Sequence, residues 1–156
     1  MDGYQAVEVV GVRVEMPSNA PIVLVRPITG GAILPIWIGP NEAAAIAMAQ
    51  QSVVAPRPLT HDLFVATLQQ LGTPLLSVRI TRLEEGVFYA ELVFESQSID
   101  ARPSDAIALA LRAGVPILLA DDVLDEAGVA PDPDEEVDEV EQFREFLDTV
   151  TPQDFQ

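Results

Sequence analysis

Cysteine is absent from this 156-residue chain, and so is lysine. Without cysteine there can be no disulfide, no thiolate metal site and no cysteine nucleophile, which fits a reducing compartment. A single histidine excludes a histidine-rich metal centre within one chain. No glycine-rich phosphate loop, no Gly-x-Ser-x-Gly elbow and no His-Glu-x-x-His run occurs. The longest apolar stretches, near Val115–Ala120, fall far short of the ~20 residues a membrane helix needs. Met1-Asp2-Gly3-Tyr4-Gln5 has neither a basic cluster nor an apolar run, so no signal peptide is expected. These absences together predict a cytoplasmic protein with no membrane partner.

Positive charge is scarce. The 25 acids outnumber the 8 arginines for a net charge of −17. Residues 1–119 carry 11 acids and 7 arginines, whereas residues 120–156 carry 14 acids and only Arg144. No basic stripe of the kind that tracks a nucleic-acid backbone is visible. Exclusive use of arginine follows from base composition alone, although arginine is also the better fork for phosphate.

What is present is a core. Half the chain is apolar (49%) and only 21% is charged, a globular balance in a length that suits one domain. The clearest element is Arg102-Pro103-Ser104-Asp105-Ala106-Ile107-Ala108-Leu109-Ala110-Leu111-Arg112. Proline fits a first helical turn, Ser104 and Asp105 offer acceptors and negative charge there, and Gly114 followed by Pro116 ends the helix.

Pro40-Asn41-Glu42-Ala43-Ala44-Ala45-Ile46-Ala47-Met48 repeats this pattern 63 residues earlier. Apolar strand pairs precede both copies, Ile22–Ile28 with Ala32–Ile38 and Leu76–Leu83 with Val87–Phe94. The glycine turns between them are offset by only 55, so the second copy holds 8 extra residues, room for a short strand at Ser98–Ala101. The expected fold class is therefore α+β, with duplicated β-hairpin–helix units forming a mostly antiparallel sheet core under packed helices. Both repeat helices should be buried along Ile46, Met48, Ile107, Leu109 and Leu111.

The remaining elements follow from periodicity. Gln5–Met16 alternates as a strand, and Pro35 marks its own strand as an edge or bulge. Trp37, the only tryptophan, is expected in the core or a subunit interface rather than stacked on a ligand. Thr60 is placed as the N-cap of a helix over His61–Gly72, with Leu63, Phe64, Ala66 or Thr67, Leu68 and Leu71 facing inward. Ile117–Ala120 reads as a strand. The core domain is taken as 1–120, an acidic linker as 121–136, and an amphipathic tail helix as 137–156, with Val137, Val140, Phe143, Leu147 and Val150 at helical spacing.

Carboxylates, a histidine and arginines are the side chains that can activate a water and place positive charge on a developing oxyanion. Glu42, His61, Asp62, Asp100 and Asp105 are the candidate acids, bases or ligands, with Arg57, Arg102 and Ser104 as substrate-binding groups. Each has a structural alternative: Glu42 and Asp105 as helix caps, Asp62 as a first-turn carboxylate, His61 as a surface residue, Arg102 as a lock on its turn. The functional reading rests on their grouping at three helix entrances, two of them just after Arg-Pro.

Leu34-Pro35-Ile36-Trp37-Ile38-Gly39 running into Glu42-Ala43, then Arg57-Pro58-Leu59-Thr60-His61-Asp62-Leu63, then Asp100-Ala101-Arg102-Pro103-Ser104-Asp105-Ala106-Ile107-Ala108, resemble the bifunctional nuclease domain family. The three motifs stand in the family's order across residues 5–120, and the tail from Phe143 to Phe155 is similar to actinobacterial members. The resemblance implies an α+β domain, self-association as a dimer or trimer, nucleic acid as partner and, as in some plant members, hydrolysis of RNA and DNA with a divalent metal such as Mg as a candidate cofactor. The competing expectation is a non-enzymatic module that recognises a small anion or partner protein at its helix N-termini.

Overall fold

The chain is described from a computed structural model over residues 3–131. The expected tail helix at 137–156 and the later part of the acidic linker lie outside the described residues. In chain order the elements are β1 (Tyr4–Glu15), β2 (Ala20–Pro27), β3 (Leu34–Trp37), α1 (Pro40–Gln50), α2 (Thr60–Gln70), β4 (Ser77–Glu84), β5 (Val87–Val93), β6 (Ser98–Ala101), α3 (Pro103–Ala113), β7 (Ile117–Ala120) and α4 (Asp121–Ala127). The fold is α+β.

One seven-stranded sheet runs β3-β2-β1-β7-β4-β5-β6. Every neighbouring pair is antiparallel except β4 with β7. The order reads outward from β7 as two three-stranded meanders, β1-β2-β3 and β4-β5-β6, each feeding its edge strand directly into a helix that opens with proline. The structure thus corrects the strand correspondence expected from sequence. Ser98–Ala101 is the short strand expected there, but it is the counterpart of β3 in the second unit rather than an addition to it, and β1 is the counterpart of β4.

A second local feature marks the same equivalence. The first strand of each meander is bulged, between Val9 and Gly11 in β1 and between Ile80 and Arg82 in β4. The glycine turns at Gly31 and Gly86 connect different strands in the two units, β2 to β3 in the first and β4 to β5 in the second.

Alternation places Val7, Val12, Val23, Val25, Leu34, Ile36, Val78, Ile80, Ala90, Leu92, Ile117 and Leu119 in one core under α1 and α3. α1 lies on β1 and β2, α3 on β4 and β5, and the two helices pack against each other. Their alanines permit this approach: Ala43, Ala47, Ala106 and Ala108 are wholly buried, as are Ile46 and Ile107. Truncating either isoleucine to alanine should cost about 2–5 kcal/mol. Met48 and Leu109 are buried as expected, while Leu111 is half-buried. Pro35 lies on an edge strand, where its missing donor is tolerated. Gly114 ends α3 at φ 69°, the left-handed conformation expected of it.

Three expectations are corrected. α2 buries only Val65, while Leu63, Phe64 and Leu71 are exposed, so its proposed inward face is largely a surface. Thr60 is the first helical residue rather than the cap; the N-cap is Leu59, whose N–H is taken by the Asp62 carboxylate at 3.1 Å. Residues 121–127, expected as linker, form α4 against β4 and β7, with Val123 buried. The acids there point to a helix start rather than to a solvated spacer, since Asp121 and Asp122 occupy the first turn. Val129 then bridges back to Ile33. No helix among the described residues is long and apolar enough to cross a membrane.

Candidate active site

α1 and α3 begin alike. Gly39-Pro40-Asn41-Glu42 and Arg102-Pro103-Ser104-Asp105 each set an extended N-cap, a proline, a small polar residue and a carboxylate at the third helical position. Neither N-cap side chain caps its helix, and Glu42 and Asp105 turn instead toward one guanidinium. Arg102 Nη1 meets Glu42 Oε1 at 2.7 Å, and Arg102 Nε donates to Asp105 Oδ2 at 2.8 Å.

The duplication is broken at this point. Gly39 occupies in the first unit the place that Arg102 holds in the second. A Cβ at position 39 would stand 2.8 Å from Glu42 Oε2, closer than contact allows. Glycine therefore lets the Glu42 carboxylate fold back over its own helix start and reach across to Arg102.

His61 joins from the first turn of α2, which leans on α3. Its Nε2 lies 3.0 Å from Asp105 Oδ1, so Asp105 spends one oxygen on His61 and the other on Arg102. Burial raises the Asp105 pKa, but hydrogen bonds and charge from Arg102 and His61 outweigh it and hold the carboxyl below its ordinary value. The hydrogen bond to Asp105 is foremost in raising the pKa of Arg102. An ionised Asp105 can only accept, so Nε2 of a neutral His61 carries the shared proton and Nδ1 keeps a free lone pair.

Of the other candidates, Asp62 belongs to a separate joint. Besides holding the Leu59 N–H, it accepts from Arg112 Nε at 2.7 Å. Arg112, whose side chain is only 9% exposed, also donates to Ala108 O at 3.1 Å and Ala45 O at 3.0 Å, tying α1, α2 and α3 together. Sequence reading gave Arg112 no role, because an arginine in a last helical turn already suits the dipole. The missed signal was its position behind an unbroken apolar run, Ala106–Leu111.

Ser104 is 6% exposed and makes no side-chain hydrogen bond among the described residues. Arg57, in the connector after α1, and Asp100, on edge strand β6, are exposed and likewise join no hydrogen bond or ion pair there.

A cleft of about 440 Å³ opens beside Arg102, lined by Ile36–Gly39, Gly86–Phe88 and Arg102–Ser104. No group of three or more His, Asp or Glu side chains among the described residues is disposed to hold a metal ion. Between Glu42 and Asp105, where a divalent cation would need to sit, stands the Arg102 guanidinium. The donor set as arranged does not fit magnesium.

Residues 23–132 match the bifunctional nuclease domain. An uncharacterised protein of Mycobacterium tuberculosis is 52% identical over 158 residues, 96% of each chain. Bifunctional nuclease 1 of Oryza sativa subsp. indica is 29% identical over 116 residues, 70% of this chain and 35% of that protein. Bifunctional nuclease 1 of Arabidopsis thaliana is 30% identical over 112 residues, 65% of this chain and 34% of the plant protein. The chain therefore spans about a third of the length of these plant relatives.

Proposed function

The chain belongs to the bifunctional nuclease domain family, and from that premise we propose that it hydrolyses phosphodiester bonds in RNA and DNA at the His61–Asp105–Arg102–Glu42 cluster. The observation that carries the reading is the unbroken chain of contacts from the only histidine to a doubly held arginine.

DNA has no 2′-hydroxyl, so water is the nucleophile common to both substrates. His61 Nδ1 takes the proton from that water as it attacks phosphorus, the bridging P–O bond on the far side breaks, and the departing sugar oxygen is protonated by solvent. Asp105 is the positioning residue: it fixes the tautomer and steadies the imidazolium that forms, as a carboxylate does in hydrolytic triads. The Arg102 side chain is 64% exposed and lines the cleft, so it retains donors for the non-bridging phosphate oxygens as their charge grows. Glu42 holds the guanidinium in place, and the Ser104 hydroxyl supplies a further donor. Arg57, Asp62 and Asp100 lie outside this set. Self-association as a dimer or trimer belongs to the same reading, supported by the apolar surface of α2 at Leu63, Phe64 and Leu71.

One observation favours a different reading. Arg102 is already matched by two carboxylates, and the chain carries a net charge of −17. A non-enzymatic module for a small anion or partner protein would need no surplus positive charge.

The test is hydrolysis of single-stranded RNA and DNA by the purified chain, with and without chelator, beside His61→Ala and Asp105→Ala variants shown to be folded by circular dichroism. Removing the general base should lower turnover by about 10²–10⁴-fold. Equal activity in all three proteins overturns the assignment as contamination. Nucleotide binding without turnover in the wild type, divalent cation present or absent, favours the binding module.

A further inference from the structure

The cleft beside Arg102 has two chemically different kinds of lining. Arg102 and Ser104 supply polar groups. Ser104 is nine-tenths buried, lines the cleft and has no side-chain hydrogen bond among the described residues. Trp37, Val87 and Phe88 supply apolar and aromatic surface to the same cleft. Trp37 is 60% exposed at the end of edge strand β3, so of the two places expected for it, core or subunit interface, the core is ruled out. An indole that lines a cleft and is left largely in water is an unused stacking surface.

We propose that this cleft is a nucleobase subsite: an unpaired base stacks on Trp37 while the phosphate of the same strand lies on Arg102 and Ser104. The inference deepens the hydrolytic reading above by naming single-stranded nucleic acid as the substrate class. Three features select a base over other apolar groups. A volume of about 440 Å³ falls in the range of small-molecule sites and suits a base with its sugar. A tryptophan face accepts any of the bases, as a sequence-tolerant enzyme requires. The anion donors line the same cleft as the indole, and a nucleotide joins an aromatic plane to a charged phosphate through a short sugar. A paired base in a duplex presents only its edge and cannot stack here.

Trp37 is the sole tryptophan, so its emission reports on this site alone. The experiment titrates the wild-type chain at moderate salt with short oligothymidylate, the same sequence in a duplex, and an abasic strand of equal length. Salt screens the acidic chain and leaves stacking largely intact. Oligothymidylate should change the emission, the duplex and the abasic strand should not, and Trp37→Ala should weaken binding of oligothymidylate roughly ten-fold or more, with Trp37→Phe recovering part of the loss. In hydrolysis the Ala variant should raise KM for oligothymidylate and leave cleavage of the abasic strand unchanged. An unaltered emission with all three strands overturns the subsite, as does an equal response to all three. An emission response specific to oligothymidylate without hydrolysis of any strand supports the subsite and overturns the hydrolytic reading, so the two failures are separable.

Discussion

Glu42 and Asp105 are the same residue of the repeat, each third in its helix, and a single guanidinium joins them. Two-fold duplication would supply two N-cap arginines, but glycine stands at one of the positions. The pair of carboxylates thus shares one guanidinium, and removing Arg102 leaves Glu42 without its ion pair and Asp105 with His61 alone. Arg102→Ala should abolish measurable hydrolysis. It should cost about 1 kcal/mol or less in urea unfolding, because the arginine side chain is mostly solvent-exposed. A large stability loss would show the bridge to be part of the scaffold instead.

Gly39→Ala tests the same bridge from the other side. The added methyl would displace the Glu42 carboxylate, the nearest atom to it. The variant should therefore lose about as much activity as Glu42→Gln, and the double variant no more than either alone. Additive losses in kcat/KM would mean that Gly39 acts through something other than Glu42.

Acid should loosen the cluster in a defined direction. Asp105 has a folded pKa below its unfolded one, so its stabilising contribution is complete above the ordinary carboxylate value and is lost as pH falls through the folded value. The stability gap between wild type and Asp105→Asn should stay constant above about pH 5 and narrow below about pH 4. Denaturant unfolding across that range checks it, and a gap that widens on acidification would refute the assigned shift.

Arg112 and Asp62 should behave as framework. Arg112→Ala takes a buried guanidinium away from two carbonyls and from the partly exposed Asp62 carboxylate, and should cost about 1–3 kcal/mol. Asp62→Asn keeps an acceptor for the Leu59 N–H and should cost about 1–2 kcal/mol. Activity per folded molecule should be unchanged in both, measured at a temperature where each is fully native.

Much of this was legible in the sequence because it is local. Proline, a small polar residue and a carboxylate before spaced alanines mark both buried helices, and period-two valines mark β1. The distant pairings were not. His61 meets Asp105 across 44 residues only because α2 leans on α3, and nothing within either segment encodes that approach. α2 itself carries a core-like apolar pattern and shows much of it to water, so periodicity predicted a buried face where there is a surface. Trp37 is kept out of the core by a related fact that apolar neighbours in sequence do not reveal: its strand lies at a sheet edge. The acids of α4 looked like solvent-facing spacer because charge counts do not register one well-buried valine, Val123.

The place of β7 bears on how the chain comes to be folded at all. β1 and β4 do not pair with each other; four residues, Ile117–Ala120, join one meander to the other, and Tyr4 finds its partner in Ala120. During synthesis the amino-terminal half must therefore wait for nearly the whole domain to emerge before its innermost strand is covered. Such long-range closure is slow, and in the interval β1 and β4 each present an open hydrogen-bonding edge to neighbouring chains. A ribosome stalled before residue 117 would hold a pair of sticky half-sheets, and chaperone dependence should be greatest over that last short stretch of translation.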